Sequence, residues 1–120
     1  MRVSSQAVSG VGVLGVHHPA GDLQKYSIGT INGYANCPQG DGACTSANFT
    51  TGGMFRVGWQ QGTTEGGSSG SAIFVQSDGK RYVAGALHGG SASCQNTSGS
   101  DYYGRFEQSF AAGIQRWLAP

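Results

Sequence analysis

The sequence is poor in charged residues. Asp, Glu, Lys and Arg make up only 11% of its 120 residues, against about 25% in an average soluble domain. The 7 basic and 6 acidic side chains give a net charge of +1, so we expect no binding to nucleic acid or to an anionic membrane. No apolar run approaches the ~18 residues of a membrane span.

Glycine is the residue type in excess, with 22 copies. Ser, Thr, Asn and Gln supply most of the polar side chains, and this composition is typical of a secreted all-β protein. We therefore predict an extracellular location. A chain of 120 residues fits one domain with a modest core.

Short apolar stretches separated by glycine turns predict about six strands, at 11–16, 25–28 with 29–31, 54–59, 71–75, 81–88 and 102–106. Asp78-Gly79 between two apolar runs indicates a β-hairpin. Near the end, the apolar spacing changes to a helical period over 109–118, with Ser109 as N-cap. These patterns predict one all-β domain over residues 1–120, a six-stranded Greek-key β-barrel with a short C-terminal helix.

The run Gly66-Gly-Ser-Ser-Gly-Ser71 directly precedes an apolar strand. It could be a flexible loop, or a tight turn that presents a nucleophilic serine. In the second interpretation Gly67 allows an unusual backbone conformation. The N–H groups of Gly67 and Ser69 would then form an oxyanion hole beside the Ser69 hydroxyl. The residues alone leave both interpretations open.

Four segments resemble, in the same order, those of trypsin-like serine peptidases of the lysyl-endopeptidase type. They are GVHHPAGD at 15–22, TEGGSSGSAIF at 64–74, GALHGGSASC at 85–94 and SDYYGR at 100–105. The resemblance implies the chymotrypsin fold, with Ser69 as nucleophile and Gly67 and Ser69 as the oxyanion hole. Ala72 departs from the pattern, since the family usually has proline there.

The resemblance also implies a substrate pocket. Asp101 matches an aspartate that pairs with a basic substrate side chain, and one carboxylate in an apolar pocket suits Lys or Arg. His88 and Gly89 match the substrate groove. Without the resemblance, Asp101 could be a solvated loop residue and His88 a histidine at a strand end.

The family's catalytic histidine and aspartate lie on a first barrel whose sequence contexts do not occur here. We therefore expect the chain to correspond to the C-terminal half of such a peptidase. His18 or His17, oriented by Asp22, is a local candidate for the general base; the same histidines could instead hold the loop that supports the turn. With a weak base, ester hydrolysis is easier than proteolysis. The alternatives are a catalytically inactive half-domain that serves as a binding module, and a non-enzymatic barrel.

The sequence contains three cysteines, which is an odd number. Cys37 and Cys44 enclose a short loop, and we expect a disulfide between them in an exported protein. Cys94 is left over, and the resemblance implies a partner in the half that is not matched.

We predict no metal site and no cofactor. If the first barrel is missing, the face near Ser69, His17, His18 and the C-terminal helix is uncovered, and we expect a homodimer that buries it.

Overall fold

Antiparallel strands make up about half of the residues in the computed structural model, which describes residues 7–38 and 43–118. Buried and more exposed positions alternate along much of most strands, as a strand with one buried face requires. The strands are β1 Gly12–His17, β2 Lys25–Asn36, β3 Thr45–Ala47, β4 Met54–Gln61, β5 Ala72–Ser77, β6 Lys80–Gly90 and β7 Ser100–Arg105.

Six of these strands close into a barrel in the order β1-β5-β6-β7-β4-β2, because β2 also pairs with β1. The short β3 is added outside the ring, next to β2. β1, β2 and β4 form one meander, β5, β6 and β7 form another, and the two join at β4–β7 and β1–β5. This is the Greek-key barrel that the sequence predicted.

The barrel interior is filled by side chains from all six strands. Ile31, Phe55, Val57, Ile73 and Tyr103 are fully buried. Each such apolar side chain stabilises the fold by about 1.5–3 kcal/mol relative to an exposed one. The core therefore lies inside the barrel, and the loops at its ends are free to carry a site.

The strand boundaries differ from the prediction at three places that matter for the site. β6 continues to Gly90, so His88 lies within a strand. β7 begins at Ser100, so Asp101 is a strand residue rather than a loop residue. The short β3 was missed, because Thr45-Ser-Ala47 carries no apolar alternation.

The C-terminal helix is present but begins earlier than predicted. It comprises α1 Phe106–Ser109, a π-helical turn Phe110–Ile114 and α2 Gln115–Leu118. The prediction of Ser109 as N-cap is wrong, since Ser109 has helical φ and ψ and its side chain makes no capping bond. The N-cap is instead Arg105, which has extended φ and ψ and makes no side-chain capping bond. Its guanidinium donates to the carbonyls of Phe49 and Gly52.

The cysteines pair as predicted within the described residues. Cys37 and Cys44 form a disulfide, and Cys94 is an exposed free thiol. Among the helices that the structure describes, none is long and apolar enough to cross a bilayer.

Candidate active site

Two tight turns in succession form the segment that contains Ser69. The Ser68 N–H donates to the Glu65 carbonyl at 3.1 Å, and the Ser71 N–H donates to the Ser68 carbonyl at 3.1 Å. Gly67 and Gly70 occupy the third position of each turn with φ of +94° and +83°. Positive φ at that position is typical of type II turns and favours glycine. The Gly/Ser run is therefore an ordered double turn, with Ser69 at its second apex.

Ser69 is exposed, while the residues around it are anchored to the barrel. The Gly70 N–H donates to the Leu87 carbonyl at 2.8 Å, and the Leu87 N–H donates to the Ser71 carbonyl at 2.9 Å. These bonds fix the turn against β6, just before His88. Within the described residues, the N–H groups of Gly67 and Ser69 have no intramolecular acceptor. Both donors are therefore free to meet a ligand oxygen.

A chain of hydrogen bonds holds the turn from inside. Nδ1 of His17 lies 3.1 Å from Ser68 Oγ, and its Nε2 lies 3.1 Å from Ser27 Oγ. The Ser27 hydroxyl donates to the Thr63 carbonyl at 2.8 Å. Since Ser27 uses its proton on Thr63, it must accept from the His17 ring. This assigns the proton of neutral His17 to Nε2 and makes Nδ1 the acceptor of the Ser68 hydroxyl.

The environment of His17 favours the neutral ring. The residue is only 2% exposed, and burial lowers the pKa of its imidazole, a shift that the Asp101 charge opposes and the His18 charge reinforces. Both ring nitrogens are occupied by hydroxyl groups other than that of Ser69. The structure thus joins His17 to the neighbour of the candidate nucleophile and not to the nucleophile itself. Because His17 is buried, it is not part of the exposed face that was predicted to form the homodimer.

The other two members of the predicted base set lie at the surface. His18 is exposed, and its Nδ1 lies 3.3 Å from the carbonyl oxygen of Asp22, not from its carboxylate. The Asp22 carboxylate accepts instead from the N–H of Leu23. Across the part of the chain that the structure describes, no imidazole is hydrogen-bonded to Ser69. The described residues also contain no group of three or more His, Cys, Asp or Glu that could hold a metal ion.

Asp101 lies on β7, below the surface, and is 2% exposed. One oxygen, Oδ2, accepts from the indole N–H of Trp59 at 2.8 Å and also from the hydroxyl of Thr64. The other oxygen, Oδ1, faces Gly90 on β6, where a Cβ would lie 2.5 Å from it. Glycine is therefore required at position 90. The carboxylate also contributes, after burial, to raising the pKa of Tyr103.

His88 and Gly89 line one side of a surface cavity of ≈ 360 Å³, which lies near the lower end of the roughly 300–1,000 Å³ of small-ligand sites. Its remaining walls come from Ala43, Cys44, Gly90, Ser91 and Tyr102. A β-bulge between Leu87 and Gly89 makes His88 an extra residue in β6 and turns the strand end toward this cavity. His88, which lines the cavity, directly follows Leu87, which bonds the Ser69 turn.

Cys94 lies near a second cavity, of ≈ 440 Å³, which Glu65 and Lys25 also line. The Cys94 N–H donates to Glu65 Oε1 at 2.6 Å, and this bond lowers the pKa of the Glu65 carboxyl. In turn, the nearby Glu65 carboxylate raises the pKa of the Cys94 thiol. The thiol is therefore held in its protonated, less reactive form.

The sequence profile of the lysyl endopeptidase C-terminal domain matches residues 3–104. The chain belongs to the lysyl endopeptidase C-terminal domain family. Over 108 residues it is 35% identical to a lysyl endopeptidase of Pseudomonas aeruginosa. This alignment covers 88% of the chain but 21% of that relative, so the chain spans about a fifth of the relative's length.

Membership of the lysyl endopeptidase C-terminal domain family confirms the resemblance seen in the four sequence segments. It establishes a relationship to trypsin-like serine peptidases and hence a hydrolase ancestry.

Sequence reasoning did not find the residues that support the site, namely Ser27, Trp59, Thr63 and Thr64. Their partners lie 10 to 42 positions away, and no local pattern marks such contacts.

Proposed function

We propose that this chain is the nucleophile-bearing barrel of a serine hydrolase that acts next to basic side chains. The observation that carries the proposal is the position of Ser69. Its hydroxyl is exposed at the apex of a turn whose flanking residues are bonded to β6 and to His17. A nucleophile needs this combination of access and fixed position.

In the proposed reaction, the Ser69 hydroxyl gives up its proton to solvent hydroxide as its Oγ attacks the carbonyl carbon of an acyl substrate. The carbonyl oxygen becomes an oxyanion, which accepts hydrogen bonds from the N–H groups of Gly67 and Ser69. Donors of this kind typically contribute about 3–4 kcal/mol to transition-state stabilisation. The leaving group departs and an acyl-enzyme ester on Ser69 remains, which water then hydrolyses. Both donors lack an intramolecular acceptor in the described residues, which supports this role.

Asp101 supplies the proposed preference for a basic side chain. Trp59 and Thr64 both donate to Oδ2, and within the described residues Oδ1 receives no hydrogen bond. The free oxygen is therefore the acceptor for a substrate ammonium or guanidinium group. His88 and Gly89 would line the adjoining groove, in the cavity beside the turn.

Among the described residues, no imidazole is hydrogen-bonded to Ser69 as a general base would be. Both nitrogens of His17 are engaged, and His18 bonds a backbone carbonyl at the surface. Under this proposal, the 120-residue chain cleaves activated esters slowly, because their leaving groups need no protonation, and does not cleave amides. The same observation favours a second candidate, an inactive half-domain that binds basic peptides through Asp101. A disulfide at Cys37–Cys44 supports an oxidising, extracellular location for either role.

A serine-directed fluorophosphonate tests the proposal directly. The chain is incubated with the reagent at pH 8, and the adduct is located by mass spectrometry. We expect a single adduct on Ser69, its loss in Ser69→Ala, and its retention in the matched control Ser71→Ala. Ser71 belongs to the same double turn, but its hydroxyl is buried without a partner in the described residues. No adduct on Ser69, or equal labelling of Ser69→Ala at another serine, would contradict the hydrolase proposal and leave the binding module as the remaining candidate.

A further inference from the structure

The contacts of His17 carry one inference that rests on the proposed function. His17 and Ser68 are each only 2% exposed, and Ser27 is fully buried. Water therefore cannot replace a hydrogen bond that is lost between them. Ser68 is the residue immediately before Ser69, so whatever fixes Ser68 also fixes the start of the second turn.

Three bonds hold Ser68 in place. Its N–H donates to Glu65, its carbonyl accepts from Ser71, and its hydroxyl meets Nδ1 of His17. The first two bonds define the turns but are local. Of these three bonds, only the third reaches the barrel wall, because His17 is the last residue of β1 and its Nε2 bonds Ser27 on β2. It anchors the start of the second turn, whereas the bonds of Gly70 and Ser71 to Leu87 anchor its end on β6.

The direction of the bonds makes this connection depend on charge. With neutral His17, the Ser68 hydroxyl donates to Nδ1, the Nε2 proton goes to Ser27, and Ser27 donates to Thr63. A second proton on the ring would turn Nδ1 into a donor. The Ser68 Oγ would then accept from the Nδ1 proton, and the Ser68 hydroxyl proton would lose the acceptor that the neutral ring provides. Protonation of His17 therefore reverses the direction of this bond and weakens the hold on Ser68, because a buried donor is left without its partner.

We propose that His17 is a positioning residue that holds the Ser69 turn in its reactive geometry through Ser68, and that its protonation reverses the His17–Ser68 bond and loosens the turn. His17 does not touch the substrate in this proposal. Several charged groups surround it. Asp101 on β7 favours the protonated ring and His18 opposes it, while Asp22, Lys25 and Glu65 line the adjacent cavity. Burial has the largest effect and keeps the ring neutral at neutral pH.

The test compares the rate of fluorophosphonate labelling of Ser69 in the unsubstituted chain with the rate in Ser68→Ala, from about pH 5 to pH 8. Both rates depend on hydroxide in the same way, so their ratio isolates the contribution of Ser68. We expect the unsubstituted chain to be labelled about tenfold faster than Ser68→Ala at pH 8, equivalent to one buried hydrogen bond, and we expect this ratio to fall as His17 becomes protonated. Far-UV circular dichroism confirms at each pH that both proteins are folded. In Ser71→Ala the corresponding ratio should stay near one at every pH.

A pair of histidine variants provides a second, selective test. An asparagine amide can reach the position of Nδ1, and a glutamine amide can reach that of Nε2. His17→Asn should therefore keep the contact with Ser68 and much of the labelling rate, whereas His17→Gln should keep only the contact with Ser27 and lose labelling. A merely structural histidine would give two variants that lose labelling in proportion to their loss of stability.

An NMR titration separates this inference from the hydrolase proposal. The backbone amides of Ser69 and Gly70 should shift with pH at the pKa of the His17 ring, and Ser68→Ala should abolish that shift. If Ser69 is labelled but the rate ratio and the amide shifts are independent of pH, the positioning role is wrong and the hydrolase stands. If Ser69 is not labelled, the hydrolase proposal fails, and the amide titration alone decides the positioning role.

Discussion

Replacing Asp101 with asparagine removes one negative charge and keeps a side chain of nearly the same shape. Asp101 is 2% exposed, and its Oδ2 accepts from Trp59 and Thr64. The amide oxygen of asparagine can still accept these two bonds. The variant should therefore fold, and the change tests the charge rather than the packing.

Two magnitudes follow from this geometry. A unit charge pair at ~4 Å in an effective dielectric of about 20 interacts by about 4 kcal/mol. Desolvation of the carboxylate and of the incoming cation offsets part of this, so we expect benzamidine to bind about tenfold to a hundredfold more weakly to Asp101→Asn. Hydrogen bonds to a charged acceptor contribute about 1 kcal/mol more than those to a neutral one, so the free energy of unfolding should fall by about 1–2 kcal/mol.

Isothermal titration with benzamidine measures the binding, and urea unfolding measures the stability. Asp78→Asn is the matched control, because it makes the same charge change in the exposed hairpin turn between β5 and β6, where Asp78 has φ of 54°. Asparagine tolerates that conformation. Equal benzamidine affinity in Asp101→Asn and the unsubstituted chain would refute the pocket role. An equal loss in Asp78→Asn would show that only net charge matters.

Three further predictions concern stability, redox state and assembly. Burial lowers the pKa of His17 below the usual 6.5, so just below pH 6.5 only the unfolded chain takes up this proton. The free energy of unfolding in urea should therefore decrease as the pH is lowered from 6.5 to the folded-state pKa, and an unchanged pH dependence in His17→Asn would contradict this. Thiol counting in denaturant without reductant should find one reactive group, Cys94, and a count of three would exclude the Cys37–Cys44 disulfide. Leu23 is 77% exposed, so self-association in sedimentation equilibrium should weaken in Leu23→Ser, while a monomer at all micromolar concentrations would rule out the homodimer.

The sequence alone was enough to predict the barrel. Short apolar stretches separated by glycine turns mark its six strands, and the Asp78-Gly79 turn marks the β5–β6 hairpin. A tight turn at Ser69 was one of two interpretations that the sequence left open, because the glycines that permit it are adjacent to it in the chain. These features depend on local conformational preference and on the period of side chains along a strand.

The partners of the site were decided only by the tertiary structure. His17 meets Ser68 across 51 positions, and Trp59 meets Asp101 across 42. Barrel closure creates these contacts by pairing β1 with β2 and β5 and by placing β7 beside β4. Whether His17 faces Ser69 or Ser68 depends on which face of β1 turns inward and on how the double turn seats against it. Such distances of a few ångströms between remote residues are set by packing of the whole barrel, which no local stretch of sequence specifies.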